Sequence, residues 1–369
     1  MRRVLGAIRR RGQRIAQAVR DRRRHRAIAT SDRARGRVAV FYGHDRLPSR
    51  DEPAHGGTIK FQQLQREFAN EPRAFNILYL GSSTRPPDSA ALLELARARG
   101  AAVVLNQNGV AYPGWHGPGW EQTNEPLAEL LREADHVLYQ SAFCKLSADR
   151  FVGQPQGGWE LLHNPVDTEF FIPGKRPERP LTLLLGGNQY QRYRFESAPR
   201  AFELVRAEID ARLIVAGRIS WHPETRKAKR EALDSLERSP AGRDVELAGV
   251  FTQQEAPALY RRADILLHTK YNDPCPTVVL EAMASGLPTV FSDSGGTPEL
   301  VGDSGIGVPA PVDWDEDHPP APELLAEAVL ATAERRPELA TVARERAVEQ
   351  FDIRPWVERH RRLFAELVE

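Results

Sequence analysis

Cysteine is nearly absent from this 369-residue chain, with Cys144 and Cys275 the only two. So low a count excludes a disulfide framework and suits a reducing compartment. The ten histidines show no HxxxH spacing and no CxxC occurs, so no metal-ligand pattern is visible. No uninterrupted apolar stretch reaches the roughly 18 residues of a membrane-spanning helix, and the amino-terminal region lacks the apolar centre of a signal peptide. The formal net charge is only +1, which argues against a nucleic-acid binder. What is present is an ordinary globular composition, 41% hydrophobic and 27% charged, long enough for about two domains.

The near-zero charge hides an asymmetry. Residues 1–37 contain fourteen Arg against Asp21 and Asp32, a charge of +12 that leaves −11 for the rest. Read as a helix, residues 2–20 place Val4, Leu5, Ala7, Ile8, Ile15, Ala16, Ala18 and Val19 on one face. Arg2, Arg3, Arg9, Arg10, Arg14 and Arg20 fall on the other, and Arg11 intrudes. Two readings stand: a helix lying on an anionic membrane surface, or a solvated basic tail.

From residue 37 onward, apolar runs alternate with helical patterns. Strands are predicted at 37–42, 75–80, 101–105, 136–139 and 160–163, then at 181–185, 211–216, 245–247, 264–268 and 288–291. Helical stretches such as 196–206 and 253–262 lie between them. This alternation implies an α/β chain with parallel sheets covered on both faces. The segment FFIPGKRPERP (170–180) reads as a linker. The expected organisation is a basic head (1–36), a first doubly wound domain (37–170), a linker (171–180), a second such domain (181–349) and a final helical segment (350–369) packing back on the first domain. Ligands belong at the carboxyl ends of the strands, in the cleft between the domains. The segment 309–320 reads as a surface loop, and its Asp313-Trp-Asp315 as a chance likeness to a metal-binding DxD.

The densest chemical signal is DILLHTKYNDPCPTVVLEAMASGLPTVFSDSGGTPE (264–299). A strand leads through a polar loop into a helix ended by Gly286, and Gly295-Gly296 precedes a second helix start. Such junctions present free N–H groups and a positive dipole end, which suits a diphosphate. Asp273 and Glu281 bracket the first junction. A carboxylate accepts two hydroxyls at once, so the pair suits a sugar and a ribose diol. The plainer alternative makes Asp273 a helix cap and Glu281 a buried structural acid.

This segment resembles the retaining GT-B glycosyltransferases of the family-4-like group, whose E-x7-E motif is similar to Asp273-x7-Glu281. LLHNPVDTEFF (161–171), LTLLLGGNQYQRYRF (181–195) and VELAGVFTQQEAPALYRRADILLH (245–268) resemble further segments of that family in the same order. The resemblance implies two Rossmann-like domains facing a cleft, a nucleotide-diphosphate-sugar co-substrate, a glycan or lipid-linked acceptor, and no metal or other cofactor. It implies that Glu281 binds the donor ribose, Asp273 the transferred sugar, and Arg194 the diphosphate. Gly56, Gly57, Gly187, Asn188, Gly295, Gly296 and Glu299 would line the donor site. A cytoplasmic place, peripheral at the inner membrane face, would follow if the head binds lipid.

The sequence also departs from the family pattern. Asp273 stands where Glu is usual, and Asn188 follows the phosphate-loop glycine where Arg is common; Arg192 or Lys270 would have to supply the missing cation. Asn106, Gln107 and Asn108 occupy the stretch where a His is common, as hydroxyl binders or as a structural turn. Tyr112, Trp115 and Trp120 are either a stacking surface for a sugar acceptor or a hydrophobic cluster under a loop. His116, His163 and His268 read as structural, and Cys275 as a thiol whose pKa a helix N-terminus lowers. These departures keep a non-catalytic sugar-nucleotide-binding subunit open as the alternative to an enzyme.

Overall fold

A computed structural model describes residues 17, 19–54, 56–175 and 180–369. The amphipathic reading of 2–20 therefore lies almost wholly outside the described residues. Beyond it, residues 19–30 are helical. That helix buries Ile28 in the first domain's core, and Arg24 is held by Asp21, Asp45 and Asp88.

The first sheet has five parallel strands in sequence order: β1 (Val40–Phe41), β2 (Ile77–Gly81), β3 (Ala102–Gln107), β4 (His136–Tyr139) and β5 (Gly158–Leu161). The second has six: β6 (Leu181–Leu185), β7 (Ala211–Ala216), β8 (Val245–Gly249), β9 (Ile265–His268), β10 (Thr289–Asp293) and β11 (Gly305–Pro309). Its spatial order is 11-10-9-6-7-8, again all parallel. Runs such as LTLLL and ILLH are apolar at nearly every position because helices cover both faces. The strand order reverses between β6 and β9, which opens a crevice at their carboxyl ends.

The strands predicted at 136–139, 181–185 and 211–216 match in full. The first predicted strand shrinks to two residues in β1. β11 was not anticipated: its sequence, GIGVP, has two glycines and a proline and is mostly half-buried, so it lacks an apolar-run signature.

The chain crosses between domains twice, at adjacent points. Val166 donates to the Phe351 carbonyl at 2.8 Å and accepts from Ile353 N–H at 3.0 Å. Phe171, within the predicted linker, is buried against Tyr260 in the second domain's core. After the second crossing, the helix Ile353–Val368 lies on the first sheet. Asp352 caps it by accepting from Arg354 N–H at 2.9 Å. Trp356, Leu363 and Phe364 join the cluster of Val40, Tyr42, Ile77 and Tyr79. The Tyr79 hydroxyl meets His360 Nε2 at 3.0 Å. Burial pushes the His360 pKa down to about 4, which keeps the ring neutral in this apolar setting.

A third tie is the loop after β11. It is no simple surface loop, because it carries Trp314 from the second domain into the first domain's core. The indole stacks on Phe143 at 5.2 Å and meets Tyr112 edge-on at 5.1 Å. Gly114 N–H donates to the Trp314 carbonyl at 2.8 Å. A Trp314→Ala variant loses this packing across the seam. We expect a stability loss of about 3–5 kcal/mol, read by denaturant unfolding; a loss within experimental error would show that the strap is not load-sharing.

Candidate active site

A cavity of about 530 Å³ opens between the carboxyl ends of the two sheets. The hollows elsewhere on the second domain, such as one by Thr182, Arg212 and Val245, lie at the amino ends of strands, where such folds do not bind ligands. Three helix starts reach the cavity: Gly56–Leu64 after β1, Arg192–Glu208 after β6 and Thr277–Ala284 after β9. Neither of the latter two has a side-chain cap; Arg194 and Val279 N–H already donate to the N-cap carbonyls of Gln191 and Pro276, which leaves the first two N–H groups of each helix for a ligand.

Arg194 lies in the first turn of the helix Arg192–Glu208 and lines this cavity, with 3% of its surface exposed. Its Nε has no hydrogen-bond partner. A cation at the positive end of a helix is electrostatically unfavourable, and burial makes it worse. Both costs are offset when an anion occupies the cavity. Lys270 lines the same space, and burial lowers its pKa against the pull of Asp273. Lys270 thus adds a second basic side chain to the cavity, beside Asp273. Arg192 instead turns outward to Glu196 at 2.7 Å.

Asp273 also lines the cavity and does not cap the following helix, whose N-cap is Pro276. Its carboxylate pairs with Lys270 at 2.9 Å and His268 at 3.2 Å. Burial would raise its pKa, but Lys270 and His268 override that and hold it well below the usual carboxylate range. His268 faces the cavity with its Nε2 3.2 Å from the aspartate but making no hydrogen bond. The preceding residue, Asn272, has φ of 49°, unusual for a side chain. It is pinned by Ser294 Oγ at 2.9 Å and by its amide donating to the Asp313 carbonyl at 3.2 Å.

Glu281 sits in the same cavity, buried, accepting from Gln253 Nε2 at 2.9 Å and the Tyr260 hydroxyl at 2.7 Å. Burial pushes its pKa up to about 7, more than these donors and Arg50 pull it down. Gln253 and Tyr260 were not singled out from the sequence. A local signal existed: Thr252 and Glu255 bond each other's backbone N–H reciprocally, a T-x-x-E capping box that sets Gln253 in a fixed turn.

Gly56, Gly57, Gly187 and Asn188 are cavity-lining residues as well. Gly187 has φ of 88°, which only glycine adopts freely. Asn188 accepts from Arg218 N–H at 2.9 Å and so holds the loop rather than replacing a cation. Gly295, Gly296 and Glu299 do not line the cavity. Gly296 N–H donates to the Asp273 carbonyl at 2.8 Å, and a Cβ on Gly295 would lie 2.7 Å from Asp273 backbone atoms. These glycines seat the Asp273 loop from behind. Glu299 reaches across the seam to accept from Ala142 N–H at 3.0 Å and to meet His163 at 3.2 Å. It is a strut between domains, positioned at the start of the helix Ala142–Phe151.

Asn106 and Gln107 are buried, and Asn106 accepts from Lys60 Nζ and Gln140 Nε2, each at 2.6 Å. Asn164 extends this chain, donating to Gln140 and to the Cys275 carbonyl at 3.0 Å. Burial lowers the Lys60 pKa to about 8. Only Asn108 of the three amides lines the cavity. Tyr112 and Trp120 belong to the cluster around Phe151, whereas Trp115 faces the cavity. The Cys275 thiol is pushed well up by burial, the reverse of the expected activation. Asp313 accepts from Asp315 and Glu316 N–H and pairs with His318, so it folds its own loop.

Residues 179–334 match the sequence model of the family described as Glycosyl transferases group 1. No curated protein matches the chain. Among solved structures, the chain is similar to a sucrose-phosphate synthase of Thermosynechococcus elongatus, with 17% identity and a TM-score of 0.66 over 83% of this chain and 76% of that one. It is also similar to Alr3699/HepE of Anabaena in complex with UDP and glucose, with 15% identity and a TM-score of 0.64 over 84% and 81% of the two chains. A glycosyltransferase of Rickettsia africae shares 14% identity and a TM-score of 0.62 over 80% and 77%. The fold is GT-B, and the second domain carries the group 1 glycosyltransferase pattern.

The raised Glu281 pKa has a stability consequence. A carboxyl that binds its proton more tightly when folded costs stability as pH rises from the unfolded value, about 4.5, to the folded value, about 7. Glu281→Gln removes that cost. Thermal unfolding should show the variant gaining on the wild type between pH 5 and pH 8; equal pH slopes would contradict it.

Proposed function

We propose that the protein is a retaining glycosyltransferase that moves a sugar from a nucleoside-diphosphate sugar to a glycan or lipid-linked acceptor. The observation that carries this reading is Arg194, a buried cation at an uncapped helix N-terminus facing a cavity. When the bond between the sugar's anomeric carbon and the diphosphate breaks, negative charge builds on the leaving oxygen. Arg194, Lys270 and the N–H groups at the two helix starts stabilise that charge without reorganising. Glu281, when ionised, accepts the two ribose hydroxyls, and Asp273 accepts hydroxyls of the transferred sugar. The acceptor hydroxyl forms the new bond on the face the diphosphate leaves, and its proton passes to the departing phosphate oxygen. No protein nucleophile and no metal enters this scheme.

The donor in this reading is a UDP-sugar, supported by the UDP and glucose bound to the Anabaena neighbour. The setting is the assembly of a cell-surface polysaccharide or glycolipid at the cytoplasmic membrane face, with the Arg-rich head as the attachment. Among the described residues no helix is long and apolar enough to cross a membrane.

Two experiments test the reading. Arg194→Ala should lower the release of UDP from UDP-glucose by about 10²–10³-fold, the usual cost of losing one such donor, with the fold retained by circular dichroism. Undiminished turnover in the variant would remove the assignment. Binding of UDP-sugars by the wild type without any turnover would instead make the protein a non-catalytic subunit. Second, Glu281 accepts the ribose only when ionised, so affinity for UDP-glucose, whose diphosphate does not titrate in this range, should rise with pH through about 7 and then level off. In Glu281→Gln that rise should vanish.

A further inference from the structure

Two large aromatic side chains remain exposed inside the cavity, one from each domain. Trp115 is 47% exposed and Tyr190 is 53% exposed, and both line the space that holds Arg194 and Asp273. The other aromatics near Trp115 are used up in packing: Tyr112 and Trp120 both lie against Phe151. Among the described residues the one aromatic ring that meets Trp115 is His116, obliquely and at 6.2 Å between centroids. About half of the indole's surface stays open where it lines the cavity.

The backbone beneath this indole is nonetheless fixed. Gly114, next to Trp115, donates to the Trp314 carbonyl at 2.8 Å, and a Cβ there would come within 2.8 Å of Glu316 N. The second domain thus clamps the segment that carries Trp115. Tyr190 is held as well, its hydroxyl accepting from Asn188 Nδ2 at 3.0 Å. Holding a large apolar surface rigidly in water is unfavourable, and a ligand that covers it recovers the difference.

The neighbouring polar groups indicate what kind of ligand that is. Asn108 and Ser83, also of the first domain, line the same cavity 3.4 Å apart and offer it an amide and a hydroxyl. An apolar ring face flanked by amide and hydroxyl groups matches a pyranose, which has a C–H face and a hydroxyl rim. The groups assigned to the donor, Arg194, Lys270, Asp273 and Glu281, all come from the second domain. Trp115, Asn108 and Ser83 come from the first.

We propose that Trp115 is the platform for a sugar ring of the acceptor, so that the acceptor is itself a carbohydrate. Asn108 and Ser83 bind its hydroxyls, and Tyr190 closes the opposite side. This rests on the reading of the protein as a glycosyltransferase.

The test uses the full chain saturated with UDP and titrated with maltose, cellobiose, lactose, chitobiose and mannobiose, followed by calorimetry and indole fluorescence. UDP binding is measured first, so a failure of the donor reading is seen before any disaccharide is added. We expect at least one disaccharide to bind. Trp115→Ala should weaken that binding by about tenfold or more, equivalent to about 1.4 kcal/mol, and Trp115→Phe should retain most of it. UDP affinity should be the same in all three proteins. The proposal is overturned if no disaccharide binds the UDP complex, or if Trp115→Ala binds as tightly as the wild type. It is equally overturned if UDP affinity falls in Trp115→Ala, which would make the indole a stacking partner of the nucleobase.

Discussion

The cavity exists only while two independent sheets hold their carboxyl ends toward each other, and polar contacts across the seam set that registry. Ser141 Oγ donates to the Pro274 carbonyl at 2.6 Å, and Asn164 donates to the Cys275 carbonyl. Both acceptors lie in the turn between Asp273 and the helix Thr277–Ala284. The first domain therefore grips the backbone of the Asp273 loop itself. Glu299 and Trp314 reach the other way and bind into the first domain. With contacts running in both directions, a shift of one domain displaces the carboxylate and the helix start together.

Within that frame, the electrostatics are arranged for an occupant that the protein alone does not provide. Helix N-termini, Arg194 and Lys270 concentrate positive potential, while Glu281 is buried at a cost. Asp273 is the exception, because Lys270 pairs with it at 2.9 Å and keeps it ionised. Under the proposed function it presents hydroxyl-accepting oxygens at a fixed place. The strain at Asn272 belongs to the same device, since the backbone that aims Asp273 is held from Ser294 and from the loop of Trp314.

Much of the fold was legible in the sequence because a parallel strand covered on both faces is a continuous apolar run. β4, β6 and β7 show this plainly. β1 and β11 did not read well: the first is too short, and the second is built from Gly and Pro at an edge. At the site, Asp273 and Glu281 were legible through their spacing around a strand–loop–helix junction, and Arg194 only through the resemblance of its segment to a known family. Gly295, Gly296 and Glu299 were legible as a motif but not in their role, because a loop's distance behind the ligand has no sequence signature. Trp314 was hidden for the same reason: Pro and Asp around it signal solvent, and only the tertiary structure shows it entering another domain's core. Gln253 and Tyr260 acquire their importance from a contact with Glu281 over a separation of 28 and 21 residues.

The path of the chain's last segment has a mechanical consequence. The helix Ile353–Val368 rests on the first sheet after crossing back beside Val166, and the helix at 19–30 is docked on that same domain. Both outermost described helices are thus fastened to one half of the molecule. A tether applied through either one grips the half that carries Trp115 and leaves the half with Arg194 and Glu281 attached only through the paired crossings and the seam. Any force transmitted along the polypeptide is felt first at the wall that carries Trp115, and the wall with Arg194 and Glu281 becomes the freer partner.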